Sequence, residues 1–563
     1  MKQLQKIKGW KQKFNFAYTN QLLQESIGQN LHTMDKKKLQ IWMPLLLSLS
    51  MIGGIFIGFK MHDSIPGNDF FYLEKRRTLQ EVLDLIQNKY VDKIDTDALT
   101  DTAIYSILNH LDPHSVFIPA NELEAINEDM QGSFFGVGIE FEIFDDTLNV
   151  MSVIKDGPGF KAGVKTGDKF IHANGLKIAG ANMSSDSIRS ILRGNRGSLL
   201  KVEILRADKK VTLSIARDMV SVNSIDAAYM INKEIGYIKL NKFSTQTYRE
   251  FMIALEDLKK QGLKKLIFDL RGNGGGVLDE AVEIADEFLE GDKLITYTEG
   301  LHMPKKEYRC RREGQFEKGS LIVLCDEGSA SASEVLMGAL QDWERATIIG
   351  RTSFGKGLVQ EQYDLSDHSA IRLTIARYYT PSGRSIQRSY SKGENAYYEE
   401  IAQRYTNGQS TNQDSTKHDS SKVFVTSSGK KVYGGGGINP DYFIPLDTSL
   451  FNESTATIFS KGTVSHFAYQ YMQRNASLSQ QYKSAREFAY SFTLNDPSWK
   501  QFEQDAMRDS IKLSKITPIE KTYILNSMKA SIARHLWGNS AYFESYNTND
   551  LFIKKALEIL GIK

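Results

Sequence analysis

Ser320-Leu-Ile-Val-Leu-Cys-Asp-Glu-Gly-Ser-Ala-Ser-Ala-Ser-Glu-Val-Leu-Met-Gly-Ala-Leu340 reads as a buried strand, a tight turn and a helix in immediate succession. The run Leu321 to Cys325 is uninterrupted apolar sequence, Glu327-Gly328 makes a turn, and Val335, Leu336, Ala339 and Leu340 then recur at helical spacing. A serine at such a junction has its hydroxyl projecting from the turn. The helix N-terminus behind it offers unpaired N–H groups and a positive dipole end to a developing oxyanion. Ser331-x-x-Glu334 is also a capping box, which needs no catalysis, and on this stretch alone both readings stand.

Working outward, Lys265-Leu-Ile-Phe-Asp-Leu-Arg-Gly-Asn-Gly-Gly-Gly276 is a second strand, ending in a glycine-rich loop before a helix over Asp279 to Leu289. The loop meets neither the G-x-x-x-x-G-K-[ST] nor the G-x-G-x-x-G pattern of phosphate cradles. It suits a different task, a backbone N–H paired with that of Ala332 as a two-donor oxyanion hole. Downstream, Arg351-Thr-Ser-Phe-Gly-Lys-Gly-Leu-Val-Gln360 follows another apolar strand and sets Lys356 between two glycines. Lysine acts as a general base only when neutral, so its pKa of ~10.4 has to fall toward ~7–8 by desolvation. A lone lysine is ordinarily a solvated surface residue, and no carboxylate lies beside this one in sequence.

Upstream, Phe135-Gly-Val-Gly-Ile-Glu-Phe141 is a glycine-bracketed loop running into an alternating strand. Successive N–H groups there form a nest for a terminal carboxylate, and the strand edge accepts an added peptide strand. Glycine turns at Asp156-Gly-Pro-Gly159, Ala162 to Asp168 and Ile171 to Gly175 follow, then a helix (Ser187 to Leu192) and a closing strand (Leu200 to Leu205). This order resembles a PDZ domain of the bacterial protease-associated kind over roughly 130–217. The resemblance implies that Val137, Gly138 and Ile139 hold a substrate's terminal carboxylate.

At 563 residues the chain has room for several domains. Its 70 Lys+Arg and 68 Asp+Glu leave a net charge of +2, which argues against nucleic acid as a partner. Two cysteines, Cys310 and Cys325, cannot make a disulfide framework or a cysteine-rich zinc site, and whether they pair is open. Ile41 to Phe59 carries no charge over a length that nearly spans a ~30 Å hydrocarbon core. Lys36, Lys37 and Lys38 precede it, which predicts a single-pass anchor in the inner membrane with the catalytic part periplasmic or extracytoplasmic. Lys60-Met-His62 lacks the small-residue exit of a signal peptide.

The blocks DLRGNGGG, GSASASE and TSFGKGLVQ, in this order, resemble the carboxyl-terminal processing (tail-specific) serine proteases. Leu111-Asp-Pro-His-Ser115, Arg377-Tyr-Tyr-Thr-Pro-Ser-Gly383 and Tyr433 to Asp441 extend the resemblance over roughly 75–445. It implies a crotonase- and Clp-protease-like α/β core with an inserted PDZ domain. With the N-terminal transmembrane helix read from the uncharged 41–59 run and a helical C-terminal domain read from the apolar periodicity beyond Ser449, the expected fold class is α+β multidomain. The corresponding segments are a basic cytoplasmic arm (1–40), the anchor (41–59), an N-terminal helical part of the protease (72–129) and the PDZ domain (130–217). The Ser-Lys core (218–445, with a polar surface insertion at 391–432) and the helical domain (446–563) follow.

Position by position, the resemblance implies Ser331 as nucleophile, Lys356 as general base and Gln360 as the residue orienting it. Asp342 is a supporting carboxylate, and Ala332 with Gly274 forms the oxyanion hole, Gly275 being the alternative to Gly274. Gly272 departs from the expected loop, where a non-glycine residue would stand. No metal or other cofactor is implied. Neither H-E-x-x-H nor G-x-S-x-G occurs, which weighs against metal hydrolysis and nothing favours thioester chemistry. The implied partners are protein or peptide substrates with exposed C-termini and the membrane through 41–59; a second copy or an adaptor for the helical domain is left open. The competing reading is a catalytically inactive, membrane-tethered PDZ scaffold.

Overall fold

The computed structural model describes residues 42–45, 47–54, 73–408, 410–411, 422–450, 452–475 and 477–562. Two units share the chain, Met1–Asp97 and Ala98–Lys563. In the first, residues 42–45 and 47–54 are helical and expose Trp42, Met43, Leu47 and Ile52 among other apolar side chains. Leu73–Lys89 is a further helix. Among the described residues no helix is long and apolar enough to cross a membrane. Of the 41–59 span expected to do so, residues 41, 46 and 55–59 lie outside the described residues, as does all of 1–40.

In the second unit, the glycine-punctuated segment folds into an antiparallel sheet. Ile139–Phe144, Thr147–Val153, Lys169–Ala173, Leu199–Arg206 and Lys209–Ala216 lie side by side in that order, with Leu176–Lys177 beside the third. Period-two alternation builds it: along Leu199–Arg206, Leu200, Val202 and Ile204 are buried whereas Leu199 and Lys201 are exposed. The inward residues join Val150, Phe170 and Ile215 in a local core closed by the helix Ser185–Leu192. A ribbon of Ser133–Gly136 antiparallel to Asp218–Ser221 gathers the two ends of the module.

The largest core is built on a six-stranded sheet in the order Ile225–Met230, Ile235–Leu240, Lys265–Asp269, Ser320–Cys325, Thr347–Gly350, Tyr442–Phe443. Only the first pairing is antiparallel. The central strands are apolar throughout because both faces are covered. Thr247–Lys260, Leu278–Asp286 and Ala332–Asp342 pack on one face. The other face, Tyr237, Ile267, Ile322, Leu324 and Ile349, is covered by Ile553, Ala556 and Leu560 from the end of the chain. A second, five-stranded sheet orders Val116–Ile118, Ala370–Tyr379, Leu294–Gly300 and Met303–Arg309, with Leu358–Asp364 also paired to Ala370–Tyr379.

Beyond Leu450 the chain is helical, and its longest helix, Pro518–Trp537, opens with the capping box Thr517–Glu520. The helical tail is not wholly separate from the core, since its last helix, Leu551–Ile559, completes the central sheet. Part of the 391–432 insertion is also packed. Glu394–Thr406 is a helix that buries Tyr397 and Arg404, and Lys431–Tyr433 pairs with Val423–Val425. Residues 409 and 412–421 lie outside the described residues. Cys310 and Cys325 are both buried and free.

Candidate active site

The junction after Ser320–Cys325 is welded to the glycine-rich loop. Ser329 Oγ donates to the Leu270 carbonyl at 2.9 Å, and Ala330 N–H and Ser333 Oγ both donate to that of Asn273 at 2.9 Å. Ser331 stands at the N-cap of Ala332–Asp342 with φ 54° and ψ −113°, a region that side chains with a Cβ rarely occupy. The expected capping box is present, and Ser331 N–H donates to Glu334 Oε2 at 2.9 Å.

That carboxylate does more than cap. Glu334 Oε1 accepts from Gly355 N–H at 2.7 Å and Ser353 Oγ at 2.5 Å, and Oε2 accepts from Lys356 N–H at 2.8 Å. One buried side chain therefore ties the Ser331 turn to the lysine loop. Burial pushes its pKa up to about 7 against the four donors. Tyr378 makes a second tie: its hydroxyl donates to the Lys356 carbonyl at 2.6 Å and lies 3.1 Å from the Ser331 carbonyl.

Lys356 is held below its ordinary pKa first by burial and then by the Arg372 guanidinium, while Asp112 and Glu334 pull the other way. Its Nζ donates to Gln360 Oε1 at 2.9 Å. Gln360 Nε2 in turn donates to the carbonyl of His114, which fixes which end of the amide faces the lysine. No hydrogen bond joins Ser331 Oγ to Lys356 Nζ; Lys356 Nζ is given to Gln360 instead. The His114 turn is itself built by Asp112, which accepts from the N–H groups of His114 and Ser115 and from Ser115 Oγ.

The glycine loop lies against Ser331 so closely that a Cβ on Gly275 would come 2.7 Å from Ser331 Cβ and 2.9 Å from Ala332 N. Gly275 N–H is committed to Asn273 Oδ1 at 2.9 Å, whereas Gly274 is exposed, with open space where a Cβ would be. Gly272 adopts φ 67° with open space where a Cβ would be, so glycine there relaxes a left-handed turn.

Asp342 is not brought to this cluster. It ends the nucleophile's helix, about 15 Å along the axis from Ser331, and pairs with Arg384 at 2.8 Å while accepting from Ser382 N–H. In the PDZ module, the Val137 carbonyl accepts from Gly159 N–H at 2.6 Å and the Gly138 carbonyl from Ile154 N–H at 3.0 Å. Gly138 turns at φ 71°. Ile139 begins a strand that ends its sheet, with one edge unpaired by any strand.

Glu334 was legible only as a cap, and Tyr378 only as a member of its block. Asp112 and His114 lie in a turn more than two hundred residues before Lys356, with no local cue tying them to it.

Residues 234–393 match the model of Peptidase family S41 and residues 136–216 that of a PDZ domain. The class is thus a serine peptidase carrying a PDZ insertion. The carboxy-terminal-processing protease of Bartonella bacilliformis is 35% identical over 54% of this chain and 71% of its own. For the carboxy-terminal processing protease CtpA of Bacillus subtilis the figures are 31%, 63% and 76%. The solved photosystem II D1 C-terminal processing protease aligns at 27% identity over 64% of this chain and 85% of its own, with a TM-score of 0.34. The chain belongs to the carboxy-terminal processing proteases of peptidase family S41. Residues 455–538 match a family of unknown function, DUF8443.

Proposed function

We propose that the chain is a membrane-anchored endopeptidase that captures substrate C-termini on its PDZ module and cleaves nearby with a Ser331–Lys356 dyad. The observation that carries the dyad is the double tie, Glu334 and Tyr378, between the backbones of these two residues, beside a lysine whose pKa burial lowers. In this reading Ser331 Oγ adds to the scissile carbonyl carbon while Lys356 Nζ takes its proton. The lysine gives that proton to the leaving amine as the C–N bond breaks. Water then attacks the resulting ester and restores the hydroxyl. The N–H groups of Ala332 and Gly274 receive the oxyanion, a role supported by the prior commitment of Gly275 N–H. Gln360 orients the lysine, and Val137, Gly138 and Ile139 cradle the terminal carboxylate.

The anchor reading rests on the uncharged 41–59 run behind Lys36, Lys37 and Lys38 and on the exposed apolar side chains of 42–54. It puts the catalytic part on the extracytoplasmic side of the inner membrane. Alkaline carbonate washing of membranes tests this: the full chain stays with the pellet, and release into the wash overturns the anchor. For the chemistry, detergent-purified full chain is incubated with an unfolded test protein. Cleavage by wild type and its loss in Ser331→Ala and Lys356→Ala are expected; undiminished cleavage by either variant rejects the dyad, and no cleavage by wild type leaves the scaffold reading. The PDZ module is further proposed to gate the site. Deleting 130–217 then frees cleavage or collapses the site, whereas a simple tether loses only substrate capture.

A further inference from the structure

Arg271 opens the glycine-rich loop, and its guanidinium is fully engaged. Nε and Nη2 meet the buried Asp269 carboxylate at 3.0 and 2.6 Å, and Nη1 meets Asp550 Oδ2 at 2.8 Å. The guanidinium also stacks 4.5 Å above the Phe552 ring. Asp550 comes from the far end of the chain, outside the matched peptidase and PDZ segments. Its two carboxylate oxygens divide their work. Oδ1 accepts from the N–H groups of Phe552 and Ile553 at 2.8 and 3.1 Å and so caps the helix Leu551–Ile559. Oδ2 holds the arginine.

The helix cannot drift along the sheet. Ile553, Ala556 and Leu560 are buried against the central strands, and the Leu560 carbonyl accepts from Lys265 Nζ at 2.8 Å. Lys265 begins the strand whose exit is Arg271, so the helix runs antiparallel to that strand with its capped end at the catalytic edge.

A loop with glycine at 272, 274, 275 and 276 has little intrinsic conformational preference and depends on its anchors. At its far end Val277 N–H donates to the Phe243 carbonyl, and at its middle Asn273 binds the Leu240 carbonyl and the nucleophile turn. At its start three anchors act together: Gly272 N–H donates to Asp326 Oδ1 at 2.8 Å, the Arg271 carbonyl accepts from Lys239 Nζ, and the Arg271 side chain is held by Asp269 and Asp550. We propose that Asp550 is a positioning residue of the active site, holding Arg271 so that the 272–276 loop keeps its place against Ser331 and Ala332. The terminal helix is then a working part of the catalytic centre as well as a cover for the sheet. The inference rests on the protease reading of Ser331, and its test is built to separate the two.

Asp550→Asn keeps the cap, since asparagine caps as well as aspartate, but turns an NH2 toward Arg271 in place of Oδ2, so both the negative charge and the acceptor that hold the guanidinium are lost. In the full chain it is expected to lower kcat about tenfold with KM within about twofold, and Asp550→Glu to recover part of the loss. In a Ser331→Ala background, amide hydrogen exchange over residues 269–277 is expected to quicken in Asp550→Asn while that of 278–290 stays as it was. Phe502→Leu, in the separate apolar core of the helical tail, is expected to lower Tm with kcat within about twofold. Unchanged loop exchange in Asp550→Asn overturns the proposal, and so does a kcat loss that merely tracks Tm in both variants. If wild type fails to cleave while the loop exchange still quickens, the positioning role stands and the protease reading falls.

Discussion

Ser331 holds a backbone conformation that costs of order 1–3 kcal/mol unless its surroundings enforce it, and both of its peptide groups are held. Glu334 takes the N–H and Tyr378 the carbonyl. Tyr378→Phe removes the hydroxyl shared with Lys356 and keeps the ring's packing. It is expected to cost about 1 kcal/mol of stability and to lower kcat at unchanged KM, read by steady-state kinetics beside urea unfolding. The pH profile follows from Lys356. Its base form appears as pH rises through a pKa depressed by burial and by Arg372, so activity has a rising limb. Arg372→Gln removes a neighbouring positive charge, raises that pKa and is expected to move the limb of kcat/KM to higher pH; a shift to lower pH or none contradicts the assignment. Ser331, Lys356 and Gln360 were assigned through the resemblance of three ordered blocks; on local cues alone the serine also read as a cap and the lysine as a solvated surface residue. Glu334 had the same spacing as any capping residue, and nothing local revealed that its two oxygens also accept from Gly355, Ser353 and Lys356.

The elements that build the site were readable from local pattern, since apolar runs, glycine turns and 3.6-residue periodicity are short-range properties. The helix after Ser331, expected from Val335, Leu336, Ala339 and Leu340, runs Ala332–Asp342; the strand expected to close the module spans Leu199–Arg206 but is followed in the same sheet by Lys209–Ala216. How closely elements approach is a different matter. Gly275 at φ 95° would place a Cβ 2.6 Å from the Ala330 carbonyl oxygen and 2.7 Å from Ser331 Cβ. Gly275→Ala is therefore expected to destabilise by about 1–3 kcal/mol and to abolish labelling of Ser331 by a fluorophosphonate; labelling at the wild-type rate would show the loop to be slack. The polar composition of 391–432 pointed to loose surface chain. Yet Glu394–Thr406 folds because Tyr397 meets His114 Nε2 at 2.9 Å and Arg404 Nη1 reaches the Ser353 carbonyl at 2.8 Å. These partners are distant in sequence and leave no mark on composition.

At the scale of the molecule the helical tail touches both functional parts of the second unit. Arg534 on Pro518–Trp537 pairs with Glu140 at 3.1 Å, and His466 stacks on Phe144 with ring centroids 4.4 Å apart. The outward side chains of Ile139–Phe144 thus rest on the tail, while Ile139, Phe141 and Ile143 face the module's own core. The same tail ends on the central sheet. A chain stopped at Gly538 would uncover Tyr237, Ile267, Ile322, Leu324 and Ile349, a contiguous apolar face that water does not tolerate. Gel filtration is expected to find that truncation aggregated; a monodisperse, active product would show the terminal helices to be dispensable.

By itself the sequence determined the strand-to-helix serine, the glycine loop, the lysine between glycines and the glycine-bracketed module. Each is written in fewer than about a dozen consecutive residues by backbone preferences that act locally. Only the tertiary structure decided which carboxylate joins nucleophile to lysine, and that Arg271 finds Asp550 across 279 positions of chain. Ion pairs and buried faces are chosen by proximity after folding, so they carry no period, spacing or motif that a linear reading could detect.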